Sequence, residues 1–307
     1  RRTIDLAFPR YCLAGLGRPP MLSLVPSREL MPDSSLSFMV EHVLASDERF
    51  MVRGIGRAEL DIEGDVRALD VFLRDADYVI NCIGMTARHI EDRDPTSGAR
   101  AIRVNAEFPH ALAAAAGARG VRVIHMSTDG VFSGQSLGSY GEDAVPDTRD
   151  TYGRSKLLGE SRAFNVLNVR CSIIGPSPMK HEGLWEWIVG QAEGAAIDGY
   201  TNHVWQGVTT LQFATFCRRI IAEDRFDTIR APGHILHFAP NAPVTKADLV
   251  SAIAAAVGKR CTVRPVVHVD AIHRTFAMRP AIADAFGADG PLAASLRACV
   301  TECTPSS

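Results

Sequence analysis

The chain has 307 residues, 46% hydrophobic and 22% charged, an ordinary soluble globular balance that suggests one large or two modest domains. Its formal net charge of −2 gives no electrostatic case for nucleic acid or an anionic membrane. The longest apolar runs, such as the alanine-rich stretch from 111 to 116, are too short to cross a bilayer. Seven scattered cysteines (Cys12, Cys82, Cys171, Cys217, Cys261, Cys299 and Cys303) show no zinc-ribbon spacing and read as a reduced, cytoplasmic chain. His234 and His237 lie in a strand-like run, GHILHF, where satisfied structural histidines are the better reading than a metal site.

In chain order, the first thirty-five residues read poorly. Pro9, Pro19, Pro20 and Pro26 break any helix and the apolar residues keep no period. The chain begins at Arg1, as a fragment or processed product would, and Arg1, Arg2, Arg10 and Arg18 resemble a transit peptide only faintly, for want of an amphipathic pattern. From Leu36 the pattern sharpens. LSFMVEHVLAS predicts a helix with Phe38, Val40, Val43 and Leu44 on one stripe, capped by Ser34 or Ser35. RFMVRGIG predicts a strand, DVRALDVFLRD a helix, DADYVINCIG a buried strand, ARAIRVNAEFPHALAAAAGARG a long helix and VRVIHMSTD a strand. TYGRSKLLGESRAF predicts a helix and NVLNVRCSIIG a strand.

Such alternation, with strands apolar on both faces, predicts an α/β fold: a doubly wound parallel sheet with helices on both sides. Beyond Gly175 the texture loosens. A loop and a helix bear Trp185 and Trp187, TTLQFATFCRRIIAEDRF is an amphipathic helix, PGHILHFAP a strand, VTKADLVSAIAAAVGK a helix and CTVRPVVHV a strand. The last dozen residues predict a frayed tail.

The strongest chemical feature is Tyr152-Gly-Arg-Ser-Lys156. Four residues apart on a helix, the phenol and the ammonium share a face. A phenol has a reference pKa near 10, and a neighbouring ammonium favours its ionised form. The pair can therefore move a proton to or from a carbonyl oxygen while a cofactor moves hydride. The spacing alone is equally that of an exposed helix face. Upstream, the strand VRVIHM ends in Ser127-Thr128-Asp129, and ligands of open parallel sheets bind at the carboxyl ends of strands. A hydroxyl there either bonds the same carbonyl oxygen or caps a turn.

Together, DADYVINCIGMT, RVNAEFPHALAAAA, STDGVFSG and SYGEDAVPDTRDTYGRSKLLGE resemble the extended short-chain dehydrogenase/reductases, and within them most closely the dTDP-4-dehydrorhamnose reductase group. RCSIIGP and TNHVWQGVTTLQFA fall where that group has its post-catalytic strand and a substrate-side loop, so the resemblance runs from about Val52 to Ala214. It implies that Thr128 orients the substrate carbonyl, Tyr152 is the acid, and Lys156 binds the nicotinamide ribose and tunes Tyr152. It places Cys82, Ile83 and Gly84 along the cofactor, Asn105 behind the active site and Asp61 near the adenine. Arg57, after the second strand, suits the 2′-phosphate of NADP rather than NAD. Thr86, Asp129, Val131, Phe132 and Trp205 fall on the substrate side. Trp205 either stacks on a sugar or base or packs at a domain interface. The implied organisation is an atypical segment 1–35 with a degenerate first strand and loop, a Rossmann-type NAD(P)-binding domain 36–175, and a mainly substrate-binding domain 176–307 partly interleaved with the sheet.

The pattern breaks at the glycine-rich loop. A dinucleotide fold opens with glycines that let backbone approach the pyrophosphate. The corresponding stretch, PSRELMPDSSLS, has none, although MLSLV suits a first strand and Ser34, Ser35 and Ser37 could offer hydroxyls at a helix start. Gly15 and Gly17 lie too far upstream. Three explanations stay open: lost cofactor binding, a corrupted N-terminal reading frame, or a serine-lined loop that binds NADP weakly. Gly130 and the segment Gln206-Gly-Val-Thr-Thr also depart from the group's usual residues, which leaves the sugar open. The expected activity is NADP-dependent reduction of a 4-keto nucleotide sugar for cell-surface polysaccharide. The rivals are an epimerase or dehydratase of the same superfamily, and a non-catalytic binding subunit such as the regulatory β-subunit of methionine adenosyltransferase. The expected partners are the nucleotide sugar and a second copy in a homodimer, with neither nucleic acid nor membrane.

Overall fold

The computed structural model describes residues 20–24, 35–55, 60–63, 68–136, 138–177, 182–287 and 290–303. The elements begin with β1 (Pro20–Leu24), α1 (Ser35–Ala45), β2 (Met51–Gly54), α2 (Leu69–Leu73) and β3 (Tyr78–Asn81). Next come α3 (Pro95–Ile102), a π-helical turn (Arg103–Glu107), α4 (Phe108–Gly117), β4 (Arg122–Met126), α5 (Thr151–Leu158), β5 (Val166–Arg170) and β6 (Ile173–Ile174). Then follow α6 (Gly183–Val189), β7 (Ala196–Tyr200), β8 (His203–Trp205), β9 (Val208–Thr209), α7 (Thr210–Ala222), α8 (Phe226–Arg230) and β10 (Ile235–His237). The last are β11 (Val244–Thr245), α9 (Lys246–Ala256), β12 (Thr262–Val266), β13 (Ile272–Arg274), α10 (Pro280–Phe286) and α11 (Leu292–Cys303).

The chain divides into two compact units. The first draws on residues 1–127, 150–169 and 214–236, the second on 128–149, 170–213 and 237–307. The first unit is built on a sheet ordered β10-β5-β4-β3-β1-β2, in which β1 pairs in parallel with both β2 and β3, β3 with β4, and β4 with β5. The doubly wound α/β fold is thus present, and the run MLSLV does supply its first strand. The winding reverses between β1 and β3, and in such sheets ligands bind at the carboxyl ends of the strands beside that reversal. Val79, Val123 and Val166 line one face of the sheet and pack under Phe108, Leu112, Ala113 and Ala116 of α4. The same register carries a buried polar row, Asn81–His125–Asn168, across β3, β4 and β5.

The long predicted helix through residues 99–120 is interrupted. Asp94 caps α3, accepting from the Thr96 and Ser97 amides at 2.9 and 3.1 Å, with Pro95 at the first turn, where a missing N–H costs nothing. Its continuation widens into the π turn, in which the Phe108 amide bonds back to the Arg103 carbonyl. Pro109 has no N–H to give the Asn105 carbonyl, so the ladder loosens there. Such single π turns are common at functional positions.

The second unit contains three small sheets, β11-β8-β13, β12-β7 and β6-β9. Its core gathers Trp185, Ile188, Ile197, Trp205, Leu249, Ile253 and Leu296. The expectation of a frayed tail is corrected: α11 is a regular helix, and Leu296 and Cys299 on it are fully buried. Leu296 joins the core, and Cys299 lies 3.2 Å from the Thr210 hydroxyl. The helical spacing was present in ASLRACV, but its apolar face has value only once a partner covers it.

Candidate active site

In the first unit, α5 carries the Tyr152–Lys156 pair. Asp150 starts the helix by accepting from the Gly153 amide at 2.6 Å, and the Thr151 amide donates to Asp92 at 3.1 Å. Tyr152 stays partly exposed, whereas Lys156 is buried. The ammonium donates to the Met126 carbonyl at the end of β4, 2.7 Å away. A buried ammonium needs such partners.

Gly84, exposed just after β3, leaves room beside that ammonium. A β-carbon there would stand 3.7 Å from Lys156 Nζ and 3.4 Å from Asn105 Oδ1. Asn105, fully buried on the π turn, clamps the loop. It accepts from the Met85 amide at 2.7 Å, and donates to the Met85 carbonyl at 2.9 Å and to the Ser155 hydroxyl at 3.0 Å. The helix that follows Lys156 is drawn against the π turn at Gly159, where a β-carbon would collide with the Asn105 carbonyl. Cys82, Ile83, Gly84, Asn105 and Lys156 therefore come together within the first unit, at the ends of β3 and β4, with Tyr152 one turn before Lys156 on α5.

Burial pushes the Cys82 thiol up to about 12, against the opposing pull of Lys156. Burial, with Lys156 and then His110 adding to it, holds His125 well below the usual imidazole range. His125 Nδ1 lies 3.0 Å from the Asn81 amide nitrogen, and Asn81 also accepts from the Ile83 amide at 3.1 Å. Ser127 donates to Glu160 at 2.6 Å. This buried seam was not singled out in the sequence; the alternation of Asn81, His125 and Asn168 with apolar neighbours was its only signal.

The second unit begins with Thr128, the residue after Ser127. Its hydroxyl accepts from the Gly130 amide at 3.0 Å, capping a 3₁₀ turn, and donates to Asp129 at 3.2 Å. Burial raises the Asp129 carboxyl above its usual range, opposed by Arg274, the Thr128 hydroxyl and Lys246. Val131 and Phe132 are fully buried. Phe132 stacks on Tyr140 at 4.0 Å, with the Arg170 guanidinium 5.3 Å from its ring. The Tyr140 hydroxyl accepts from the Gly134 amide at 3.2 Å, and Glu142 accepts from the His237 amide and from Arg279, each at 3.1 Å. His237 is itself fully buried, with its ring bonded to the Tyr140 carbonyl and Arg170. Trp205 is 7% exposed, lies in the core and donates to the Ser172 hydroxyl at 2.9 Å.

Thr86 and Asp61 are exposed, Asp61 accepting from the Glu63 amide. Arg57 and residues 25–34, which hold most of the expected phosphate loop, lie outside the described residues. Among the described residues, no helix is long and apolar enough to cross a membrane.

Residues 36–175 match the family model described as the RmlD substrate binding domain. A dTDP-4-dehydrorhamnose reductase of Streptomyces griseus is 37% identical over 118 residues, 38% of each chain. A dTDP-4-keto-6-deoxy-D-glucose reductase of Streptomyces niveus is 36% identical over 118 residues, 38% of this chain and 40% of that one. The chain spans 34 to 40% of the length of the first curated relatives it matches. The structure of dTDP-4-dehydrorhamnose reductase from Bacillus anthracis in complex with NADP superposes with a TM-score of 0.75 at 15% identity, covering 94% of this chain and all of that one; at that identity it shows the fold. The resemblance to the dTDP-4-dehydrorhamnose reductase group, within the extended short-chain dehydrogenase/reductases, holds over residues 36–175.

Proposed function

We propose, from that resemblance, that this protein is an NADP(H)-dependent oxidoreductase of the extended short-chain type. It reduces a 4-keto nucleotide sugar, as a dTDP-4-dehydrorhamnose reductase does, for cell-surface polysaccharide, in the cytoplasm. Residues 36–175 serve as its cofactor domain and 176–307 mainly as its substrate domain. The observation that carries the reading is the buried Lys156 ammonium. It is fixed on the Met126 carbonyl at the end of β4 and stands one turn from Tyr152, beside the open Gly84 backbone. That space suits a ribose: Lys156 has donors for its hydroxyls, and Gly84 presents no side chain to block it.

NADPH, when bound, supplies the hydride for the keto carbon. Tyr152 gives its phenolic proton to the carbonyl oxygen, and Lys156 stabilises the phenolate left behind. Thr128 orients that oxygen, exchanging its present hydrogen bond to Asp129 for one to the substrate. NADP is favoured over NAD by Arg57, and the Bacillus anthracis relative holds NADP.

The test is a titration with NADPH and NADH, followed by quenching of protein fluorescence and by melting temperature, then a screen of 4-keto nucleotide sugars. Saturable NADPH binding with turnover of one such sugar is the expected result. A second reading, a non-catalytic binding subunit, is favoured by one observation: no glycine occurs between Arg18 and Arg53. Failure to bind either nucleotide at millimolar concentration decides for it.

A further inference from the structure

Buried on β4, His125 takes no part in the chemistry assigned to Tyr152, Lys156 and Thr128, and keeping it there is costly. Its ring is 1% exposed, and its Nε2 has no hydrogen-bond partner among the described residues, whereas most buried polar atoms have one. A leucine would fill the same place without stranding a polar atom. What the ring does provide is Nδ1, which lies 3.0 Å from the side-chain nitrogen of Asn81, the residue directly across the β3–β4 pairing.

The geometry fixes the protons of this pair. Asn81 has one acceptor oxygen and one NH2 group. The Ile83 main-chain N–H can only donate, and it donates to Oδ1 at 3.1 Å. The NH2 group is thereby turned to the ring and donates there, so Nδ1 is the acceptor and the ring proton sits on Nε2. Burial first, and then the charges of Lys156 and His110, disfavour a charged ring, so Nδ1 keeps its lone pair. The ring gives up a hydrogen bond at Nε2 and makes one at Nδ1.

The consequence falls on the loop that follows β3. It is pinned at two points: Asn105 holds the amide and the carbonyl of Met85, and Asn81 holds the amide of Ile83. Between them lies Gly84, where a β-carbon would stand 3.7 Å from Lys156 Nζ. An Asn81 side chain turned the other way would set its NH2 group against the Ile83 N–H, and that pin would be lost. An acceptor at Nδ1 of His125 permits only the orientation that keeps it. The next residue, Met126, holds the Lys156 ammonium. Two successive residues of β4 therefore serve both sides of the space beside Gly84, Met126 directly and His125 through Asn81.

We infer that His125 is a positioning residue for the cofactor: by accepting from Asn81 it locks the side-chain amide that holds Ile83, and so fixes the loop against which the NADP(H) ribose packs. This rests on the oxidoreductase reading of Lys156 and Gly84.

The test joins ¹⁵N NMR of the histidine rings of the whole chain with NADPH titration of His125→Leu, His125→Asn, Asn81→Leu and the Asn81→Leu/His125→Leu double variant. The His125 signals, identified by their loss in His125→Asn, are expected to show an unprotonated Nδ1 and a protonated Nε2. His125→Leu is expected to bind NADPH about three- to tenfold more weakly, the worth of one hydrogen bond. His125→Asn, whose carbonyl oxygen replaces Nδ1 as acceptor, should bind more tightly than His125→Leu. Packing alone gives the opposite order, since asparagine leaves a cavity and a buried amide where leucine fills the site. In the Asn81→Leu background the leucine at 125 should cost less than about twofold more, because the partner it acted through is gone. A protonated Nδ1, unchanged NADPH affinity in His125→Leu, an asparagine variant no better than leucine, or additive losses in the double variant each overturn the inference and leave the oxidoreductase reading standing. An unaltered protein that binds no NADPH removes that reading, and the inference with it.

Discussion

Lys156 donates from its ammonium to the backbone carbonyl of Met126, 2.7 Å away. A main-chain carbonyl is a partner that cannot rotate away, so the strand end itself fixes the charge one helical turn from Tyr152. Lys156→Met keeps the packed stem and removes the charge. It is expected to weaken NADPH binding by about tenfold or more, as loss of a charged hydrogen-bond partner does. Tyr152→Phe is expected to leave NADPH affinity within about threefold while lowering turnover by about 10² to 10⁴. Fluorescence titration and a steady-state assay with a 4-keto sugar check the two. Equal loss of binding in both variants would contradict the separate roles.

Gly159 permits the close approach of α5 to the π turn. Gly159→Ala forces its β-carbon into the Asn105 carbonyl, and overpacking of this kind costs about 1–3 kcal/mol. Gly138→Ala adds a β-carbon with nothing within 4 Å and should be neutral. Thermal melts of the two read the contrast. A Gly159→Ala protein as stable as the parent would mean that the helix and the turn are not pressed together.

Asn105→Leu removes three hydrogen bonds at once and leaves both backbone groups of Met85 without their side-chain partner. The expected cost is about 3 kcal/mol, from stranded polar groups rather than lost volume. Because the same bonds hold the loop bearing Gly84, NADPH affinity should fall as well. Urea melts with and without NADPH measure both. A stable variant with intact affinity would show that the clamp is dispensable.

Two buried histidines set an acid limit. Burial, with Arg170 adding to it, lowers His237 to about 3, and His125 lies well below the imidazole range. Below pH 6.5 the unfolded chain takes up protons at both rings and the folded chain does not. Stability therefore falls as pH drops from about 6.5 towards 3, each ring contributing up to about 1.4 kcal/mol per unit. Asp47, held far below the usual carboxylate range chiefly by Arg49, begins to add only nearer pH 4. Denaturation curves between pH 7 and 4.5 thus read the histidines, offset in part by Asp129, whose raised carboxyl takes up its proton earlier in the folded chain than in the unfolded one. A flat profile there would show that both rings ionise in place.

What the sequence made legible was local. The strands VINCIG and VRVIHM read as buried because both their faces are apolar, and they are the central β3 and β4. Tyr152 and Lys156 read as a pair because four residues make about one turn, whereas the Asp150 cap that starts the helix emerged only in the structure. Cys82 to Gly84 and Asn105 were reached through resemblance, and the fold places them with Lys156.

The amino-acid sequence by itself determined which segments can bury a face and where a phenol and an ammonium can share one, since periodicity and capping act within a few residues. Only the tertiary structure decided the rest. Pro109 is visible in the sequence, but the use made of its missing N–H depends on Gly159, fifty residues later, packing against the Asn105 carbonyl. The tail of the chain becomes α11 because the core of the second unit covers Leu296. Contacts between residues far apart in the chain are set by how whole elements pack, and no local spacing carries that information.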